Sequence, residues 1–163
     1  MKFLRSLCLV ALAFTFIIPP LSASDLSITT ANFLPSASIA AKKEIGKAGA
    51  AITIGQLLYY DDTAASWKLA DANVAAASVC WGIAGSAAAI GQPVIVITED
   101  PDLTLGATLS MTAPIYCLSA TAGGIAPVAD LTTGWYPNVV LIATSTTKCI
   151  FKPKLMRGTA AAQ

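Results

Sequence analysis

Short apolar stretches separated by turn-forming residues run along most of the chain. About ten of them occur from residue 46 onward, at the spacing of about 8 to 12 residues that is typical of β-sandwiches and barrels. Residues 57–60, 93–98, 115–118 and 138–144 are the clearest, and no segment keeps the period of an amphipathic helix. The pattern predicts an all-β fold, a small barrel or sandwich of about ten short strands.

The pattern of predicted strands occurs twice along the chain, as an internal repeat. The step from Asp71 to Ile83 equals the step from Asp130 to Ile142, and the segments around these residues also match. The matching pairs are residues 52–55 with 103–106, residues 68–71 with 127–130, and residues 82–84 with 141–143. This repeat predicts a pseudo-symmetric β domain over residues 46–157, with copies at about 46–100 and 101–157.

Turn and arm positions follow from local composition. Residues 61–66 and 119–124 are predicted hairpin loops, and Gly123-Gly124 supplies the positive φ angles that a tight reversal needs. Residues 99–102 are predicted to form a turn between the copies. The predicted strands include 51–54, 79–84 and 148–152, and residues 158–163 form a flexible tail.

Residues 25–45 are sparse in charge, and Pro35 blocks a helix there. We expect an extended arm with no more than one short strand, placed where Leu26, Ile28 and Ala31 alternate with polar neighbours. Such an arm has little core of its own. It is therefore a candidate for ordering against a neighbouring subunit.

The first 24 residues have the layout of a secretory signal. Lys2 and Arg5 precede an apolar run over residues 7–18, followed by two prolines and the small residues 22–24. The run is short for a membrane span. Residues 1–24 are thus interpreted either as an export signal or as an extension from a start codon placed too early, and we expect no membrane anchor in the mature form.

Composition narrows the function classes. The chain contains no histidine, which removes the commonest general base and metal ligand. Hydrophobic residues make up 55% and charged residues 12%, so we expect other subunits to cover part of the surface. The net charge of +1 argues against nucleic-acid binding by charge. A binding protein is favoured over an enzyme.

The cysteines have an apolar context. Cys8 lies in the signal-like segment, which leaves the odd number Cys80, Cys117 and Cys149. Each has apolar neighbours, so we interpret them as reduced thiols that act as small core residues. A disulfide between two of them is the alternative.

Acidic residues offer three candidate sites. Glu99, Asp100 and Asp102 could bind calcium, although Pro101 favours an ordinary polar turn. The adjacent Asp61 and Asp62 could be paired catalytic carboxylates, but neighbouring side chains on a strand diverge. Two further aspartates occupy equivalent places in the repeat and are expected to accept loop N–H bonds, namely Asp71 and Asp130.

Other side chains give weaker signals. Gly55, Gly82, Gly85 and Gly91 match no phosphate-binding pattern. The stretch from Gly82 to Gly85 instead favours close packing within a sheet. The aromatic residues are interpreted as core or interface anchors, with a sugar-binding platform as the alternative: Trp67, Trp81, Trp135, Tyr59, Tyr60, Tyr116 and Tyr136. The C-terminal end is basic and could bind an acidic surface or form a solvated tail: Lys148, Lys152, Lys154 and Arg157.

Eight stretches of the chain are similar to segments of one known family: residues 25–32, 49–56, 67–72, 82–84, 91–94, 103–109, 118–127 and 129–131. On these stretches, the chain from Ser24 to about Phe151 resembles a family of tailed-bacteriophage head decoration (capsid cement) proteins. The resemblance implies a small β-rich protein, commonly a trimer, on the outside of a DNA-filled head, with no enzymatic activity. Members typically begin near Asp25, so residues 1–24 depart from the family.

The expected function is therefore capsid decoration. The resemblance implies a homotrimer, assembled in the host cytoplasm, that binds the major capsid protein on the virion exterior and stabilises the head against DNA pressure. The signal-like residues 1–24 suggest the alternative, an exported β-barrel binding or appendage protein that is secreted or held at a bacterial surface. We expect no catalytic, cofactor-binding or metal-binding residues, no cofactor and no direct nucleic-acid contact.

Overall fold

The computed structural model describes residues 25–37 and 41–157, with side chains described as far as Pro153. Three short 3-10 helices lie in these ranges, at Thr30–Asn32, Ala75–Ala77 and Val128–Asp130. The strands there are β1 (Lys42–Lys47), β2 (Leu57–Asp61), β3 (Ser66–Leu69), β4 (Gly82–Ala84), β5 (Pro93–Thr104), β6 (Ile115–Leu118), β7 (Ile125–Pro127), β8 (Asn138–Ala143) and β9 (Lys148–Arg157). The prediction of an all-β fold is confirmed.

The strands form one antiparallel sheet that curls into a half-barrel. Its order is β3-β2-β4-β5-β9-β8-β6-β7, and β1 pairs with the N-terminal part of β5. Each half has the same pairing scheme: β2 lies between β3 and β4 as β6 lies between β7 and β8, and β4 pairs with β5 as β8 pairs with β9. The repeated sequence pattern thus corresponds to a repeated strand arrangement, joined where β5 pairs with β9.

Strand β5 differs from the expectation of a turn at residues 99–102. This strand is 12 residues long and includes residues 99–102. Its pairing with β9 shifts register between Asp100 and Leu103, which accommodates Pro101. Asp100 is buried, and its carboxylate accepts the backbone N–H groups of Ser36 at 2.8 Å and Asp102 at 3.0 Å. The boundary expected between the copies therefore falls inside a strand.

Other element boundaries also differ. Residues 51–54 form only an isolated bridge, between Ile52 and Ala88, because they cross over the sheet rather than joining it. Strand β9 runs to Arg157 instead of residue 152. The hairpins at residues 61–66 and 119–124 are confirmed, although only Gly123 of the Gly123-Gly124 pair has a positive φ. Residues 1–24 and 158–163 lie outside the described residues.

The main core fills the inner face of the curled sheet. Leu57, Ile83 and Ile97 lie opposite one another across β2, β4 and β5. In the other half, a second buried row crosses β6, β8 and β9 and consists of Tyr116, Leu141 and Phe151. The hairpin between β6 and β7 joins the two ends of the sheet. Its Gly123 carbonyl accepts the N–H of Leu57 at 2.9 Å, and its own N–H donates to Ala70 at 2.7 Å. Both halves thus share one core.

A second, smaller cluster covers the outer face of the first half. Leu58, Ala84 and Val96 point away from the main core because strand residues alternate between faces. Ala48 and Ile52 lie over them, and the Ile52 N–H donates to the Ala88 carbonyl at 2.9 Å. The segment that follows β1 therefore seals this face with the chain's own residues.

The N-terminal segment packs on its own domain. Phe33 is buried in the main core, and Leu26 and Ile28 pack against that core. The Leu26 N–H donates to Ile125 at 2.8 Å, and Leu34 exchanges two backbone hydrogen bonds with Thr104. Instead of the arm expected over residues 25–45, the structure shows a docked segment followed by strand β1, because these apolar side chains find a surface within the same chain.

Candidate functional site

The three carboxylates weighed as a calcium site have separate partners. Glu99 pairs with Lys42 at 2.6 Å and Lys152 at 3.0 Å, and these contacts, led by the Lys42 hydrogen bond, hold the pKa of Glu99 below its ordinary value. Asp102 pairs with Lys148 at 2.7 Å, while Asp100 is directed at backbone N–H groups. Within the described ranges, no three His, Cys, Asp or Glu side chains gather as metal ligands.

Asp61 has its own partners in the β2–β3 hairpin, and none of them is Asp62. Asp61 accepts the N–H groups of Thr63 and Ala64 and an ion pair from Lys68 at 2.7 Å. The Lys68 contact is the main reason that the pKa of Asp61 is lowered. Asp62 is exposed and lines a surface groove. The pair therefore does not form a catalytic couple.

The aspartates at equivalent places in the repeat have different surroundings. Asp71 accepts the N–H of Asn73 at 3.0 Å, which is the loop-fixing role expected for it. Asp130 is half-buried at the end of a 3-10 helix, near enough to Cys117 to contribute to raising the pKa of that thiol. Gly82 shows the expected close packing, since a Cβ there would overlap the Val96 side chain.

The three described cysteines are buried free thiols. Burial raises the pKa of Cys80 and of Cys149 to about 12 and that of Cys117 to about 11. A thiol with a raised pKa holds little nucleophilic thiolate at neutral pH. Their positions fit core packing. Cys8 lies outside the described residues.

The basic C-terminal end is partly neutralised. Lys148 and Lys152 are the cationic partners of Asp102 and Glu99 on β5, so they fasten β9 to its neighbour. The backbone of Lys154 and Arg157 continues strand β9. Because Lys148 and Lys152 are already paired with carboxylates, they contribute little net positive charge for binding an acidic partner.

The aromatic residues do not form one platform. Tyr116 is buried, and its hydroxyl accepts the Ser110 N–H at 2.7 Å. Tyr59, Trp135 and Tyr136 are half-buried. The remaining three line one open groove of about 720 Å³: Tyr60, Trp67 and Trp81.

A feature that the sequence analysis missed lies on the outer face of the second half. Ile115, Ile142 and Ile150 are directly opposite one another on β6, β8 and β9, so their side chains share one face. They are 38%, 41% and 39% exposed. We call these three residues the isoleucine row. The neighbouring row on the inner face is fully buried: Tyr116, Leu141 and Phe151.

A signal for this row was present in the sequence. A strand with one face in water alternates apolar and polar residues, whereas residues 139–143 are apolar throughout. Such a run indicates that both faces of the strand are covered by other residues. The residues that cover the outer face can belong to another chain, which the prediction of a buried strand did not consider.

No helix in the described part of the chain has the length and apolar character needed to cross a membrane. Comparison with known proteins found no matching family model, no matching curated protein and no matching solved structure.

Proposed function

We propose that this protein is a decoration protein that binds the exterior of a tailed-phage head through the isoleucine row. The observation that supports the proposal is the contrast between the two halves of the outer face. In the first half, Ala48 and Ile52 cover Leu58, Ala84 and Val96, whereas the isoleucine row has no such cover among the described residues. An apolar face on a rigid sheet is suited to adhesion.

The charges beside the row are balanced. Lys148 and Lys152 flank Ile150 two residues away on either side of β9, and each is paired with a carboxylate of β5. Their positive charge is therefore already compensated before a partner arrives. This surface favours an apolar partner surface over a strongly acidic one.

The proposed mechanism is mechanical. The protein acts as a homotrimer on the capsid exterior, and its direct partner is the major capsid protein. Once one subunit of a trimer is bound, contacts by the others become intramolecular, so modest individual affinities combine into tight attachment. Attachment across the junctions between capsomers then resists the outward pressure of packaged DNA.

The test is to replace the isoleucine row by serine, singly and together, and to measure binding to heads formed by the major capsid protein of the same genome. We expect Ile142→Ser, at the centre of the row, to weaken binding by about tenfold or more, because central apolar contacts dominate interfaces. Cosedimentation and thermal unfolding would be measured in parallel. Unchanged cosedimentation of the triple variant would contradict the proposal.

The matched control is Ile90→Ser. Ile90 is also an exposed isoleucine, in the loop before β5, away from the row. Head binding by this variant should equal that of the unaltered chain. Equal weakening by Ile90→Ser would show a general dependence on surface hydrophobicity and would overturn the assignment of the row.

The signal-like residues 1–24 favour a second candidate, an exported binding or appendage protein at a bacterial surface. Mass spectrometry of the mature N-terminus, together with fractionation of producing cells, separates the two. A chain that starts near Asp25 and is found outside the cell, without virions, would support the second candidate. A chain recovered on purified heads would support decoration.

A further inference from the structure

An open groove lies between strand β1, the β2–β3 hairpin and the segment that leads into β4. Its volume is about 720 Å³, within the range of about 300 to 1,000 Å³ that is usual for small-ligand sites. The groove is on a different part of the sheet from the isoleucine row, so it is not needed for attachment through that row. It gives the molecule a second surface with its own chemistry.

The apolar part of this groove consists of aromatic rings and the exposed side chain of Ile45. Tyr60 and Trp81 are 37% and 40% exposed, while Trp67 is buried behind Tyr60. The rings of Tyr60 and Trp67 are 5.2 Å apart and meet edge to face at 66°. The exposed phenol is thus held against a buried indole.

Backbone contacts fix the positions from which these aromatic side chains extend. Tyr60 and Trp67 are direct partners in the β2–β3 hairpin. Gly46 allows strand β1 to pass close to the indole, since a Cβ at that position would stand 2.5 Å from the Trp67 Nε1. The backbone N–H of Trp81 donates to the Leu58 carbonyl at 2.8 Å, which holds the Trp81 main chain beside β2. A preorganised groove loses less entropy when it binds a ligand.

Charged groups of both signs stand around the rings. Glu44, Lys47 and Asp62 line the groove, all three are exposed, and no ion pair to a described residue involves any of them. This differs from Asp61 next to Asp62, which is bound to Lys68. The groove therefore offers two carboxylates as acceptors and one ammonium group as a donor.

We propose that this groove binds a neutral carbohydrate of the hexose class. The C–H face of a pyranose ring packs on the exposed rings of Tyr60 and Trp81, and its hydroxyls donate to Glu44 and Asp62 and accept from Lys47. The two carboxylates disfavour an anion, and Lys47 supplies a hydrogen-bond donor that a simple cation could not use. A neutral ring with many hydroxyls satisfies both the apolar and the polar parts of the surface.

The test is titration of the full chain with neutral glucose-, galactose- and N-acetylglucosamine-terminated oligosaccharides. Binding would be followed by tryptophan fluorescence and by saturation-transfer NMR. We expect millimolar to high-micromolar affinity for at least one of these probes, and little change as salt rises from about 0.05 M to about 0.5 M, because the ligand is uncharged. Absence of binding by all the probes would overturn the proposal.

Variants locate the binding. Trp81→Ala should weaken it by about tenfold, since loss of a stacked ring removes most of the apolar contact. Glu44→Gln is the second variant; it leaves the rings in place and should weaken binding severalfold. Ile142→Ser, on the isoleucine row, is the control and should bind as the unaltered chain does.

Two outcomes would replace the proposal with another ligand class. Choline that binds and is displaced by salt would identify a cation site among the aromatic rings. A proline-rich peptide that binds more tightly than every saccharide, with loss of binding in Trp81→Ala, would identify a peptide groove. Because Ile142→Ser tests head binding and Trp81→Ala tests sugar binding, failure of one proposal is distinguishable from failure of the other.

Discussion

At the scale of single residues, the buried thiols show how environment sets chemistry. Cys80 and Cys149 donate to the carbonyls of Gly82 and Leu103, and both are in the main core. The pKa of each rises to about 12 because burial disfavours the thiolate, and for Cys149 the carboxylates Asp100 and Asp102 add to the effect. The same burial that makes these side chains good core residues suppresses their reactivity.

A pH dependence of stability follows. An unfolded cysteine ionises from its ordinary pKa of 9.0 upward, whereas the folded thiols stay protonated to about 12. The folded state therefore binds more protons in this window, and the free energy of unfolding should fall as pH rises from 9.0 towards 12. Urea unfolding across this range would measure the slope, with a variant carrying Cys80→Ala and Cys149→Ala as comparison. Parallel profiles for the two proteins would contradict the assignment.

At the scale of elements, the docked N-terminal segment is part of the fold. Phe33 adds its ring to the main core although it precedes β1, and Gly106, at a φ of 74°, lets the segment approach closely. A Cβ on Gly106 would stand 2.6 Å from the Thr29 carbonyl oxygen. The segment is held by packing and by ladder-like hydrogen bonds, as a strand would be.

Replacing Phe33 by alanine should lower the free energy of unfolding by about 3 to 5 kcal/mol, since it leaves a cavity in the shared core. Leu34→Ala is the matched control. Leu34 is its exposed neighbour, and this change should stay within about 0.5 kcal/mol. Urea denaturation of both variants measures the difference. Equal stability of the two would show that the segment is not a structural part of the domain.

At the scale of the whole molecule, the two halves depend on each other. They have the same pairing scheme, yet the core is continuous and β5 pairs with β4 and β1 at one end and with β9 at the other. A division at the sequence repeat would cut β5 and expose the buried Asp100. Neither half keeps a complete inner face by itself.

We therefore expect residues 25–100 and residues 101–157, expressed separately, to be unfolded, and residues 25–157 to unfold in a single cooperative transition. Circular dichroism and calorimetry would check both expectations. A folded half, or two separate transitions in the longer chain, would show that the copies are independent units. The control is the longer chain with Leu34→Ala, which leaves the shared core intact.

The sequence alone determined the elements that local chemistry dictates. Three predicted elements depend only on neighbours in the chain, and the structure contains all three: the strand at residues 57–60, the strand at residues 115–118 and the hairpin loop that ends at Gly123-Gly124. The apolar neighbours of Cys80 and Cys149 likewise indicated core positions. Alternation, turn composition and short spacing are local signals, so they can be interpreted without knowledge of what each strand will contact.

Only the tertiary structure decided which surfaces meet. Asp100 can be buried within strand β5 because Ser36, far away in the sequence, supplies a hydrogen-bond donor to its carboxylate. The isoleucine row depends on the register of three strands, since a shift by one residue would exchange it with the buried inner row. The groove joins Glu44, Tyr60 and Trp81 from separate elements. These features depend on long-range pairing, which no single stretch of residues specifies.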